Sequence, residues 1–238
     1  MSAHPPSSRP VPGSIKDRVT VALLGLGMTV PLIYYGIQMV AAPYFADYSF
    51  VTHVASLLGS NHSTNPVVFN TGVMATGSTT IVAAFGFFLA FRRIGANPFL
   101  NGLTCVALLG CGIASLWAGY FPMPDPRHAG HPAFLVCMLS LSFLLTVTLW
   151  KERNSRPLKA YLIATIALLI GMIPIMSGST SIDNRAYAGI LQRILAFTIF
   201  PPIGVCAGFL AWRIQHLQTY EPTKLGSAES LPQQRPSL

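Results

Sequence analysis

Apolar residues run through this chain in six long blocks, at 19–40, 66–91, 103–119, 133–150, 160–176 and 194–212, with most polar residues confined to the gaps. A helix rises about 1.5 Å per residue and the hydrocarbon core of a bilayer is about 30 Å thick, so roughly 17 to 25 apolar residues make one crossing. Each block meets that length, and none alternates polar with apolar as a barrel strand does. The pattern predicts an all-α membrane protein, a bundle of six transmembrane helices. Hydrophobic residues at 52% against 9% charged ones, with a mean hydropathy of +0.53, exclude a soluble domain of this size.

Charge then orients the bundle. Lys and Arg collect in the short loops on the cytoplasmic side of a membrane. Arg9, Lys16, Arg18, Arg92, Arg93, Lys151, Arg153, Arg156, Lys159, Arg213, Lys224 and Arg235 fall on one side of the six blocks, and only Arg127, Arg185 and Arg193 on the other. Both termini are therefore expected in the cytoplasm. The net charge of +8 follows from this arrangement. Its dispersal over span ends predicts the lipid bilayer, and no nucleic acid, as partner.

The expected organisation is a disordered cytoplasmic tail over residues 1–14, a transmembrane domain over 15–214, and a second, mostly disordered cytoplasmic tail over 215–238. Ser14 followed by Asp17 has the spacing of a helix cap and places the start of the first helix there. The first apolar block is too long and too late for a cleavable signal peptide.

Inside the spans the residues are small or inert. Gly72, Thr76, Thr80 and Ala84 form one row, and Ala107, Gly110, Ala114 and Ala118 another; both are expected to be packing faces. Cys105, Cys111, Cys137 and Cys206 lie in spans without metal-binding spacing and are expected to pack as small residues. Pro31, Pro174, Pro201 and Pro202 should kink their helices and free carbonyls that need new donors. Mid-span positions hold no Asp, Glu, Lys or His, which disfavours a proton-driven pump. Asn70 and Arg193 come nearest, each about one turn inside the outer boundary.

Polar chemistry gathers on the outer side, where Asp47, Asp125, Asp183, His53, His62, His128 and His131 fall. Between residues 50 and 59, Phe50, Val54, Leu57 and Leu58 recur at helical spacing, predicting a short interfacial helix in the first outer loop with His53 and Ser56 on its other side. Residues 120–132 carry four prolines and should form a stiff turn. Asp125, His128 and His131, spaced by three, are candidate metal ligands if that segment makes a helical turn. The competing and favoured reading makes Asp125 a helix cap ahead of Pro126. A histidine here is also a candidate acid or base. No cofactor is expected.

The outer segments Tyr48-Ser49, Ser56-Leu57-Leu58-Gly59, Phe69-Asn70-Thr71-Gly72, Gly119-Tyr120-Phe121-Pro122 with Asp125 and His128, and Gly189-Ile190-Leu191-Gln192-Arg193 follow one another in a set order. Their order and placement resemble the prokaryotic six-pass membrane family catalogued as domain of unknown function 998. The resemblance covers nearly all six spans and implies a bacterial or archaeal multi-pass protein of the cell membrane, the inner membrane in bacteria, with these positions on its outer side and without an established activity. A fainter likeness in layout, to eukaryotic six-pass proteins of the autophagy-modulator and lipid-remodelling type, adds little.

The leading expectation is an outward-facing polar pocket lined by His53, Ser56, Asn70, Asp125, His128 and Arg193, binding a lipid head group or small anionic ligand through the Arg193 fork. An enzyme that modifies lipid head groups, a non-catalytic structural or partner-binding protein, and a small-molecule transporter are the alternatives. Convergent imidazoles in a cavity would favour the enzyme, and internally satisfied polar groups the structural protein.

Overall fold

A computed structural model describes residues 14–152 and 155–228. The described residues are helical with no strand, and six helices are long and apolar enough to cross a membrane. They are α1 (Ile15–Ala41), α2 (Pro66–Arg93), α3 (Pro98–Tyr120), α4 (Pro132–Thr148), α5 (Arg156–Met176) and a last crossing split into α6 (Ala188–Phe197) and α7 (Phe200–Ala228). The tail expected over 1–14 lies almost wholly outside the described residues, as do the last ten positions of the tail expected over 215–238. Helix α7 continues to Ala228, past the boundary at 215.

Sequence-local rules set most helix ends. Ser14 accepts the Asp17 amide through its hydroxyl at 3.2 Å, so α1 starts right after this cap and not at Val19, where the apolar block begins. Asp17 does not complete a capping box. Its carboxylate is nearly buried and pairs with Arg93 at the end of α2 (3.3 Å). Asn97 caps α3 by accepting the amides of Phe99 and Leu100. Proline opens α2, α3 and α4, where its missing N–H costs nothing.

Neighbouring helices approach through glycine, because apolar surface alone gives little drive for association in a lipid solvent. The expected row of Gly72, Thr76, Thr80 and Ala84 is buried. Thr76 and Thr80 donate to the carbonyls of Gly72 and Thr76, so their hydroxyls are satisfied within α2 and can be fully enclosed. Gly72 receives the Ile37 side chain of α1. A second contact, not foreseen in the sequence, sets Gly77 against the backbone of Gly112 and joins α2 to α3. Gly110 lies against Cys137 of α4, so the α3 row packs as expected in its first half, where Ala107 is also buried. Cys105, Cys111 and Cys206 are buried free thiols and Cys137 is partly buried.

The main core joins α1, α2, α3, α4 and α7 around Phe87, Phe91, Leu108, Leu145 and Ile203. A smaller core at the end opposite Ser14 holds Ala41, Ala55, Leu58, Phe69 and Val73. We call that end the distal rim and the end carrying the Asp17–Arg93 and Glu152–Arg213 pairs the proximal rim.

The prolines of the last crossing do more than kink it. A proline at 202 has no N–H to give the Thr198 carbonyl one turn back, and the helix breaks there. The Ser142 hydroxyl of α4 donates to that carbonyl at 2.6 Å, with both residues buried. The break is thus satisfied by a neighbouring helix, as buried backbone in a bilayer requires.

Candidate functional site

The α1–α2 connection, residues 45–65, folds over the distal end of α1, α2 and α6. Its expected helix is a 3-10 turn only over Ala55–Gly59, while 50–53 form turns. Leu58 and Ala55 are buried in the small distal core, while Phe50, Val54 and Leu57 stay partly exposed, so only part of the expected apolar side packs on the bundle. One face of α6 then clamps the loop. Gly189, Gln192 and Arg193, spaced by three and four, share that face.

Arg193 is its centre. One terminal nitrogen, Nη1, donates to the carbonyls of Phe50 (2.9 Å), His53 (3.1 Å) and Gly189 (2.9 Å). The other, Nη2, donates to the Tyr48 hydroxyl at 2.6 Å, and that hydroxyl donates to the carbonyls of His53 and Val54 at 3.2 Å. The guanidinium also lies 4.8 Å from the Phe50 ring centre and 5.8 Å from that of Tyr48. Burial pushes the Tyr48 phenol above its ordinary value, against the lowering pull of Arg193. Among the described residues, no carboxylate pairs with Arg193, and its Nε–H is buried without an acceptor.

The rest of the α6 face completes the clamp. Gln192 accepts the Ala55 amide through Oε1 at 2.6 Å, and the Ile190 amide donates to the Val51 carbonyl at 3.0 Å. That amide is one of the first-turn donors with no partner inside its own helix. A side chain at 189 would overlap the carbonyls of Phe50, Val51 and His53, so only glycine lets the loop lie on α6. Across the loop, Asn70 donates its amide to the Gly59 carbonyl at 3.0 Å. A Cβ at Gly59 would displace that amide.

The six candidate residues fall into two groups. His53, Ser56, Asn70 and Arg193 belong to the clamp, whereas Asp125 and His128 sit on the α3–α4 connection. No hydrogen bond, ion pair or ring contact joins the groups among the described residues. His53 accepts the Ser49 amide at Nδ1 (3.1 Å), and the half-buried Ser56 makes no side-chain hydrogen bond.

In the second group Asp125 caps the 3-10 turn Pro126–Ala129, accepting the Arg127 amide, and pairs with the Arg127 guanidinium at 2.7 Å. Those bonds lower its carboxyl from 3.8 to about 2. His128 Nδ1 lies 2.8 Å from the Phe121 carbonyl. Gly130, at φ +69°, ends the turn, and His131 leaves it to accept the Ala133 amide at the start of α4. This break explains why three positions spaced by three do not stack on one face. Among the described residues no three His, Cys, Asp or Glu side chains are grouped to hold a metal. Of the other outer acids, Asp47 sits in a turn at φ +55°, and Asp183 accepts the amides of Arg185 and Ala186, which lower its carboxyl.

Tyr48, Gln192 and Gly189 stand in segments that carry the family resemblance but are not among the six candidate residues. The signal for Gly189 and Gln192 is their spacing to Arg193, legible only once 188–193 is known to be helix; Tyr48, 145 residues before Arg193, carries no such signal. No curated protein and no solved structure matches the chain. Residues 28–208, from within the first crossing to within the last, match the family model described as Protein of unknown function (DUF998), and the chain, with six helices fit to cross a membrane, belongs to that family.

Proposed function

We propose that this protein is a non-catalytic membrane component whose distal loop is a prefolded, rigid cap for contact with a partner beyond the bilayer, and that Arg193 is the fastener of that cap. One observation carries the reading: the Arg193 guanidinium is spent on three backbone carbonyls and a tyrosine hydroxyl of its own chain. His53, Asn70, Asp125 and His131 are likewise committed to backbone groups nearby. Groups held in this way shape a surface, and none is left aimed at a reacting atom.

A second reading, an anionic ligand or lipid head group at Arg193, draws on a different observation. Among the described residues the charge has no carboxylate partner, and the buried Nε–H has no acceptor. Such an edge suits a carboxylate or phosphate once the loop moves aside.

Hydrogen exchange across residues 48–59, combined with native mass spectrometry of co-purified lipid, separates the two. Arg193→Gln should speed exchange in the cap about thirtyfold, the equivalent of about 2 kcal/mol for lost charged hydrogen bonds, and leave lipid content unchanged. Arg193→Lys should fail as well, because one ammonium cannot serve acceptors spread over two terminal nitrogens. Intact cap protection with lost lipid would overturn the fastener and establish the ligand site.

A further inference from the structure

A cleft at the proximal rim has a different chemistry. It is half-open, about 620 Å³ in volume, and lies between the α2–α3 turn and the end of α4. Gly95, at φ +73°, lets the chain reverse between the two helices, and the reversal forms one wall. Ile94, Leu100, Val147 and Trp150 supply apolar surface, and Asn97 and Lys151 supply the polar edge. The Thr148 hydroxyl on the lining is engaged with Thr104 at 2.8 Å.

Charge at this cleft is unbalanced. Glu152 is its acid, but Arg213 holds the Glu152 carboxylate at 3.0 Å, and Lys159 donates to the Glu152 carbonyl at 2.8 Å. Lys151 has no hydrogen bond or ion pair among the described residues. Asn97 uses its oxygen to cap α3, which leaves its NH2 as a donor. An unpaired ammonium, a free amide donor and an apolar wall therefore meet where spans end. Trp150, 59% exposed, is of the type that settles at the membrane interface.

We propose that this cleft seats an anionic phospholipid of the leaflet at the proximal rim, with Lys151 on its phosphate, Asn97 on an ester oxygen, and Leu100, Val147 and Trp150 against the first methylenes. Charge complementarity selects an anionic over a zwitterionic head group, since the adjoining carboxylate is already neutralised. The apolar walls select a lipid over a free anion. This site is independent of Arg193.

The test is native mass spectrometry of the full chain released from micelles doped equally with phosphatidylglycerol and phosphatidylcholine. The wild type should retain phosphatidylglycerol preferentially. Lys151→Gln, an exposed substitution, should weaken that retention about fivefold, the factor expected of one lysine near an anionic surface. Lys16→Gln, on the same rim but outside the cleft, should leave it unchanged. Equal loss in both variants, no loss in Lys151→Gln, or displacement of the lipid by excess inorganic phosphate would each overturn the proposal.

Discussion

At Gly189 the absence of a side chain is a structural requirement. The loop carbonyls of Phe50, Val51 and His53 occupy the volume a Cβ would take, and all three belong to backbone that Arg193 and Ile190 hold in place. Those acceptors cannot swing away as a flexible side-chain end would. Gly189→Ala should therefore destabilise the protein by about 1–3 kcal/mol, the range for overpacking a closed site. Thermal unfolding in detergent checks this, and an unchanged midpoint would mean that the loop is not seated on α6. Gly171, with open space around its Cβ position, serves as the control in which alanine should be tolerated. Gly59 makes the related point at the other edge of the loop, where the Asn70 amide needs the room.

At the scale of elements, the divided last crossing shows how a local rule acquires a tertiary answer. Pro202 removes the donor for the Thr198 carbonyl, and Ser142 of α4 replaces it. Ser142→Ala should cost about 1 kcal/mol, since a buried acceptor loses its only donor among the described residues. In a Pro202→Ala background an amide becomes available again, so the same substitution should cost less. A double-mutant cycle on thermal stability reads that coupling, and additive effects would dissociate the serine from the proline. The element also marks what a sequence can tell. The need for a new donor near Pro201 and Pro202 is legible, because it follows from proline chemistry alone. That the donor is Ser142 is not, because α4 and the break lie more than fifty residues apart and only packing brings them together. The same division runs through the distal rim. Apolar periodicity exposes all six crossings, and the Ser14 cap fixes the first helix start. The start of α6 at Ala188 is hidden, since Gln192 and Arg193 interrupt the apolar run that would reveal it. With α6 hidden, the shared face of Gly189, Gln192 and Arg193 is hidden too, and Arg193 reads as a ligand-binding charge when its partners are loop carbonyls. Asp125 was legible as a cap for the opposite reason, since its acceptor role is completed within two residues.

Across the whole molecule the two rims divide the charge in a way that local packing does not demand. Each rim spends charged side chains on holding loops together: Asp17 with Arg93 and Glu152 with Arg213 at one, Arg127 with Asp125 at the other. What differs is the surplus. Twelve of fifteen basic residues belong to the proximal loops and tails by sequence, and most of the histidines to the distal loops. A fold held by glycine contacts and buried hydroxyls gains nothing from such a bias, whereas membrane insertion depends on it. The bias therefore predicts that the proximal rim faces the cytoplasm. The native thiols suit a labelling test, since Cys105, Cys111 and Cys206 are buried and Cys137 is partly so within α4. An impermeant maleimide applied to intact cells should label Thr52→Cys, at an exposed position of the distal cap, and should reach Lys16→Cys only after permeabilisation. The reverse pattern would place the Arg193 cap in the cytoplasm. It would also move the Lys151 cleft to the opposite leaflet, so the labelling result decides which lipids each rim can meet.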